Sequence, residues 1–253
     1  MDIRMKGITA FIRVKNEEEY IKPCLLSIKD FFDEIHVWFN LSTDRTEEIV
    51  DGLELPNLKK FYYNHPCEKA GDGYYERLCQ REDKTTASLA AYYNTCLSQI
   101  KTTHACKWDG DMVALPSIDK ALKSSVLDLD CVYITGTDLV AGLEYQNEKS
   151  YTDFEPRFFK LSKETGYIDT PRFEFLLHPY DKNHIREHLF IHLKMAKVCN
   201  KEVANKGKKY TNKELSKKLN ILNISSSTRK LANKNKINRK RVGLRTLFYW
   251  FKE

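Results

Sequence analysis

Residues 8–14 (ITAFIRV) form a continuous apolar run, the pattern of a strand buried on both faces. Asn16 follows, with Glu19 three residues on in a capping-box spacing, and Ile21, Leu25, Ile28 and Phe32 recur at helical intervals. Residues 35–39 (IHVWF) predict a second strand. Thr43 or Asp44 is placed to cap a helix over 45–53, and 58–63 (LKKFYY) predict a third strand. Strand, helix, strand, helix, strand is the rhythm of a parallel α/β sheet. Ligands of such sheets bind beyond the C-terminal strand ends, so the segments after Val14 and Phe39 are the expected cradle.

Residues 64–83, with Pro66, Gly71 and Gly73 among mixed charges, predict a loop whose length points to function. A helix is expected over 85–100, a short strand over 104–108, a helix from Pro116 to about residue 126, and a strand over 131–135. Residues 142–156 read as an acidic loop and 157–161 (RFFKL) as a strand. Residues 184–198 predict a helix in which His184, His188 and His192, spaced i, i+4, i+8, share one face.

Bulk composition sharpens the picture in two places. The 253 residues are 42% hydrophobic and 12% aromatic, enough for a full core over the first two hundred or so. Seven Cys occur with no Cys-x-x-Cys pair and no zinc spacing, which predicts reduced, mostly buried thiols in a cytoplasmic protein. The start, MDIRMKGITAF, lacks the apolar stretch of a signal peptide, and no run approaches the ~18 apolar residues of a spanning helix. The net charge of +7 hides a split. Residues 194–253 hold 18 Lys plus Arg against 3 Asp plus Glu, or +15; the other 24 basic and 32 acidic residues give −8. An acidic body thus carries a basic C-terminal extension, and the two are expected to touch different things.

The chemistry centres on Lys-Trp-Asp-Gly-Asp at 107–111. Asp109 and Asp111 flank a glycine at the end of a strand-like run. Two carboxylates there suit a hard divalent cation, Mn²⁺ or Mg²⁺, shared with substrate phosphates. A solvated turn is the bland alternative for so short a motif. Gly110 lets the backbone come close to a bulky ligand.

Five stretches carry a resemblance: FIRVKNEEEYI (11–21), FNLSTDRTEEI (39–49), YYNTCLSQI (92–100), KWDGD (107–111) and RFFKLSKETGYIDTPRFEFL (157–176). In order and spacing the chain resembles the family 2 glycosyltransferases over roughly its first 180 residues. The resemblance implies the α/β GT-A fold, with a mostly parallel central sheet flanked by helices. It implies a GT-A domain over 1–198, its nucleotide-sugar half about 1–115 and its acceptor half about 116–198; the charge split makes 199–253 a basic helical extension. The resemblance also implies inverting transfer of a sugar from a nucleotide diphosphate, expected to be UDP-linked, to an acceptor hydroxyl. Two positions depart from the family: Arg13 stands where a proline is usual, and Phe39 where a base-reading Asp is usual. Base contact then falls to Asn40, with Phe39 or Trp38 stacking.

The roles implied are these. Asp111, with Asp109, holds the metal, and Asp109 also faces the nucleotide sugar; His192 supplies a third ligand, with His188 second in line. Glu174 is the expected general base, with Asp153, Glu155 and Asp169 in reserve. Arg13, Val14, Asn16, Glu18, Asn40, Asp44, Asn94, Trp108 and Arg157 are expected to line the nucleotide-sugar site. Asp44 competes as a helix cap, Trp108 as core, and Arg157 as an ordinary ion pair. Lys194 and Lys197 are within reach of a diphosphate.

The end of the chain, RKRVGLRTLFYWFKE, mixes basic residues with Leu247, Phe248, Trp250 and Phe251. That mixture suits an anionic membrane surface, and predicts a peripheral contact with the inner leaflet, where lipid-linked acceptors lie. Packing on its own domain or on a homodimer partner is the alternative. No nucleic-acid module accompanies the basic residues. The expectation is a glycosyltransferase of surface polysaccharide, lipopolysaccharide or glycoprotein glycan assembly. A non-catalytic nucleotide- or carbohydrate-binding protein on the same scaffold is the rival. A nucleotidyltransferase fits less well, since VKNEEEY is no Gly-rich phosphate loop.

Overall fold

The computed structural model describes residues 4–83, 85–118, 120–140, 144–151 and 155–193. Its elements in chain order are β1 (Met5–Val14), α1 (Ile21–Ile28), β2 (Glu34–Phe39), α2 (Thr46–Asp51), β3 (Leu58–Tyr62), α3 (Tyr74–Gln80) and α4 (Leu89–Ser98). Then follow β4 (Thr102–Asp109), β5 (Met112–Ala114), α5 (Lys120–Leu127), β6 (Cys131–Val140), β7 (Glu144–Tyr151), β8 (Phe158–Lys160), β9 (Gly166–Asp169), β10 (Glu174–Leu177) and β11 (Asn183–His192).

The central sheet runs β3-β2-β1-β4-β8-β6-β11-β5, with β7 beside β6. The first four strands are all parallel. Beyond β4 the sheet turns mixed: β8 runs antiparallel to β4 and β6, while β6 and β11 are parallel again. β9 and β10 form a separate hairpin.

β1 is buried on both faces, as its apolar run dictates. Ile8, Ala10, Ile12 and Val14 enter one core layer, covered by Ile21, Cys24, Leu25 and Ile28 of α1. Phe11 enters the other, covered by Leu89, Tyr92, Tyr93, Cys96 and Leu97 of α4. Ser88 caps α4, its side chain accepting from the Ala91 N–H.

Several expectations are corrected. Residues 184–192 are strand β11, not a helix. A spacing of four is even, so it places residues on one face of a strand as readily as of a helix; pairing with β6 and β5 decides the matter. The rest of that stretch lies outside the described residues. The acidic loop contains β7, and the 64–83 loop contains α3. Pro116 sits in a turn ahead of α5 rather than in its first turn. The capping box does not form: α1 begins at Ile21 without a side-chain cap, and Asn16 has φ 58°. The short polar side chain of Asn tolerates that left-handed conformation and is used elsewhere.

Candidate functional site

The strand order reverses at β1, which passes to β2 on one side and to β4 on the other. Such a switch point opens a crevice at the C-terminal strand ends. Arg13 there lies in register with Asp109 across the β1–β4 pair. Asp109 ends β4, Gly110 turns the chain, and Asp111 leads into β5. A Cβ on Gly110 would stand 3.2 Å from both Val14 and Glu17, so the turn is pressed against the loop after β1.

β11 completes the cluster. It pairs antiparallel with β5, setting His192 opposite Met112, and the Leu193 N–H donates to the Asp111 carbonyl at 2.8 Å. Nε2 of His192 then lies 3.3 Å from Oδ1 of Asp111. Asp109, Asp111 and His192 each offer a ligand atom, all within 4.8 Å of one another. Two carboxylates and one imidazole are a mostly hard donor set that fits Mn²⁺ or Mg²⁺. Asp111 and His192 are both buried, so the carboxylate and the imidazole face each other away from solvent.

From this cluster a line of alternating charges runs towards the β9–β10 hairpin. Arg157 Nη1 donates to Asp109 Oδ2 at 3.0 Å, and Nη2 lies 3.5 Å from Glu155 Oε1. Glu155 in turn makes a very short ion pair with Lys107, whose Nζ stands 3.3 Å from Glu174 Oε1. Burial would raise the Asp109 carboxyl, but Arg157, then Lys107 and His192, outweigh it and hold it well below the usual range. Burial likewise opposes ionisation of Glu155, and Lys107 and Arg157 overcome it. Burial would lower the Lys107 ammonium; Glu155 and its other anionic neighbours raise it instead. Asp109, Glu155 and Lys107 are therefore held in their charged forms by one another's neighbourhood.

The cradle loops are laced together by the residues expected there. Oδ1 of Asn16 accepts from the Thr43 N–H at 2.8 Å. Oδ2 of Asp44 accepts from the Glu18 N–H at 3.1 Å, and Oε2 of Glu18 from the Arg45 N–H at 3.1 Å. The Asp44 Oδ1 also accepts from the Thr46 N–H, but the cap position of α2 is Arg45, which makes no side-chain cap hydrogen bond. The Val14 carbonyl accepts from the Asn40 N–H. The Asn40 amide donates to the carbonyls of Tyr63 and His65, both at 2.8 Å, and so shapes the loop after β3. The Arg13 guanidinium packs 3.7 Å from the Tyr93 ring centroid and hydrogen-bonds its hydroxyl.

Other expected residues are engaged elsewhere. Trp108 is core, its indole N–H donating to the Met112 carbonyl at 3.1 Å. Trp38 is also buried, stacked on Phe61. Asn94 bonds the Tyr167 backbone at both its amide ends, tying α4 to β9. Asp169 accepts from the Tyr74 hydroxyl and from the Ala90 N–H at the start of α4. Arg157 is buried against Asp109 rather than exposed to solvent. Of the three histidines, His184 is exposed and stacks on Tyr133, and His192 is the one beside Asp111. Asp153, Lys194 and Lys197 lie outside the described residues. Lys107 was not anticipated. Its signal was a single charge inside an apolar strand, which burial obliges to find partners.

No protein-family model and no curated protein matches the chain. Among solved structures, the crystal structure of residues 1–349 of TarS from S. aureus superposes with a TM-score of 0.50 at 14% identity, over 74% of this chain and 60% of that one. The same TarS segment in complex with UDP-GlcNAc gives a TM-score of 0.48 at 15% identity, over 85% and 70%. This chain thus spans less than two thirds of the first of these. The first likeness shows a shared GT-A-like fold.

Proposed function

We propose that the chain is a metal-dependent, inverting glycosyltransferase of the family 2 type. It moves a sugar from a nucleotide diphosphate, UDP in the first instance, to a hydroxyl of a glycan or lipid-linked acceptor in surface polysaccharide or lipopolysaccharide assembly. One observation carries the reading: Asp109, Asp111 and His192 converge at the switch-point crevice of a GT-A-like sheet. The catalytic unit is residues 1–198, with 199–253 as a separate membrane-directed extension.

These three side chains would hold a divalent ion, whose charge would stabilise the departing diphosphate. The loops fastened by Asn16, Glu18 and Asp44 form the nucleotide cradle, and Arg13 lines its floor. Glu174 is the base, since Glu155 is already held between two cations. Glu174 takes the proton of the acceptor hydroxyl as that oxygen attacks the anomeric carbon. The bond to the diphosphate breaks on the opposite face, and the configuration inverts.

Asp111→Asn tests the reading. It keeps the size of the side chain and removes its charge. The expected result is a loss of at least about 100-fold in Mn²⁺-dependent release of UDP from UDP-GlcNAc or another UDP-sugar, with an unchanged circular dichroism spectrum. Full activity in that variant rules the metal role out. Phe39, standing where the family places a base-reading Asp, is what favours a non-catalytic binder. Slow donor hydrolysis by the wild-type chain separates the two, because a binder leaves the donor intact.

A further inference from the structure

Lys107 lies in the middle of a buried strand and is 6% exposed. Its Nζ meets Glu155, Glu174 and the face of Tyr93, 4.5 Å from the ring centroid. An ammonium has three N–H donors, and two carboxylates and one aromatic face account for all of them. Its two carboxylate partners are not equivalent. Glu155 is shared with Arg157, whereas the described ion pair of Glu174 is with Lys107.

The hairpin that carries Glu174 is anchored unevenly. β9 is tied to α4 through Asn94 and through Asp169, and Tyr167 stacks on Tyr93 with centroids 4.5 Å apart. β10 buries Leu176 and pairs with β9. Among the described residues, its side-chain hydrogen bond to the main sheet is the one from Lys107 to Glu174. The ammonium therefore sets where the Glu174 carboxylate stands relative to Asp109, two residues along β4.

We infer that Lys107 is a positioning residue for the acceptor step: it engages Oε1 of Glu174, fixes the carboxylate beside the C-terminal part of β4, and leaves the second oxygen for the acceptor hydroxyl. The inference rests on the reading of Glu174 as the base. Lys107 acts through Glu174 and does not touch the donor. A lysine suits this because a compact charge on a flexible stem can serve two carboxylates from different elements, where a planar guanidinium would impose its own fork.

A double-mutant cycle tests it, with UDP release from UDP-sugars and Mn²⁺ as the rate and titration calorimetry of UDP as the binding control. Glu174→Gln is expected to slow turnover about 100-fold. Lys107→Met is expected to slow it by about 30- to 100-fold through misplacement of the carboxylate, with UDP affinity within about twofold of wild type. The double variant should be no slower than Glu174→Gln alone, because a residue acting solely through Glu174 has nothing left to position. Losses that multiply, or a Lys107→Met variant that no longer binds UDP, overturn the inference while leaving Glu174 as the base. Glu174→Gln at the wild-type rate removes the base itself, and the inference with it. Should Lys107→Met fail to fold, the cycle is run in a Glu155→Gln background, which removes the second carboxylate the substitution would strand.

Discussion

Arg157 decides how Asp109 presents itself. Its Nη1 is bonded both to Oδ2 of Asp109 and to the Lys107 carbonyl, at 3.0 and 3.3 Å, so one oxygen of the carboxylate is fixed by a buried guanidinium nitrogen that is itself anchored to β4. Outer partners of this kind orient a metal ligand, and their loss typically costs about 10–100-fold in affinity. Arg157→Met is therefore expected to weaken Mn²⁺ binding, measured by calorimetry on the free protein, by that factor. Unchanged affinity would mean that Asp109 needs no such support. At this scale the sequence was uneven. The spacing of the two aspartates singled them out, and the structure sets them beside His192; Glu174, singled out by its place after RFFK, stands beside Lys107. Trp108 and Asn94 were assigned to the cradle, yet their polar atoms are committed to the backbone of Met112 and Tyr167. Which hydrogen bonds a side chain has already made is a property of the folded neighbourhood, and no local pattern encodes it.

At the scale of elements, strands β1, β2 and β4 were readable because their mostly apolar runs are what burial on both faces demands. β11 was not, because its histidine spacing satisfies both periods and only its neighbours β5 and β6 choose between them. Two of the readable strands carry a buried histidine that makes stability depend on pH. His36 in β2 and His104 in β4 both have lowered pKa values, with burial the largest cause in each. The unfolded chain takes up these protons near pH 6.5, before the folded protein does. Stability is thus fully present above about pH 6.5 and declines as the pH falls through the lower folded values. Carboxylates held down by ion pairs, such as Glu155, titrate further into the acid range and leave this window to the histidines. The melting temperature should hold steady from pH 8 to 7 and drop between pH 6.5 and 5. A flat profile across that interval would show that both rings protonate in place without cost.

For the whole molecule, the division of charge is the feature that separates two kinds of contact. The first 193 residues carry −8 and contain the crevice; the last 60 carry +15. No helix among the described residues is long and apolar enough to cross a membrane. Residues 236–253 supply six Lys plus Arg, one Glu, and the aromatics Phe248, Tyr249, Trp250 and Phe251. Each basic residue near an anionic leaflet contributes about 1 kcal/mol, and the aromatics add burial at the headgroup level. On the proposed function, that sum would bring the chain to lipid-linked acceptors. The full-length chain should pellet with vesicles containing phosphatidylglycerol, stay in solution with purely zwitterionic vesicles, and be released by salt as the Debye length shortens. A chain ending at residue 235 should stay in solution with both. Equal pelleting of the two chains on anionic vesicles would move the contact off these residues and leave the basic extension to pack on protein instead.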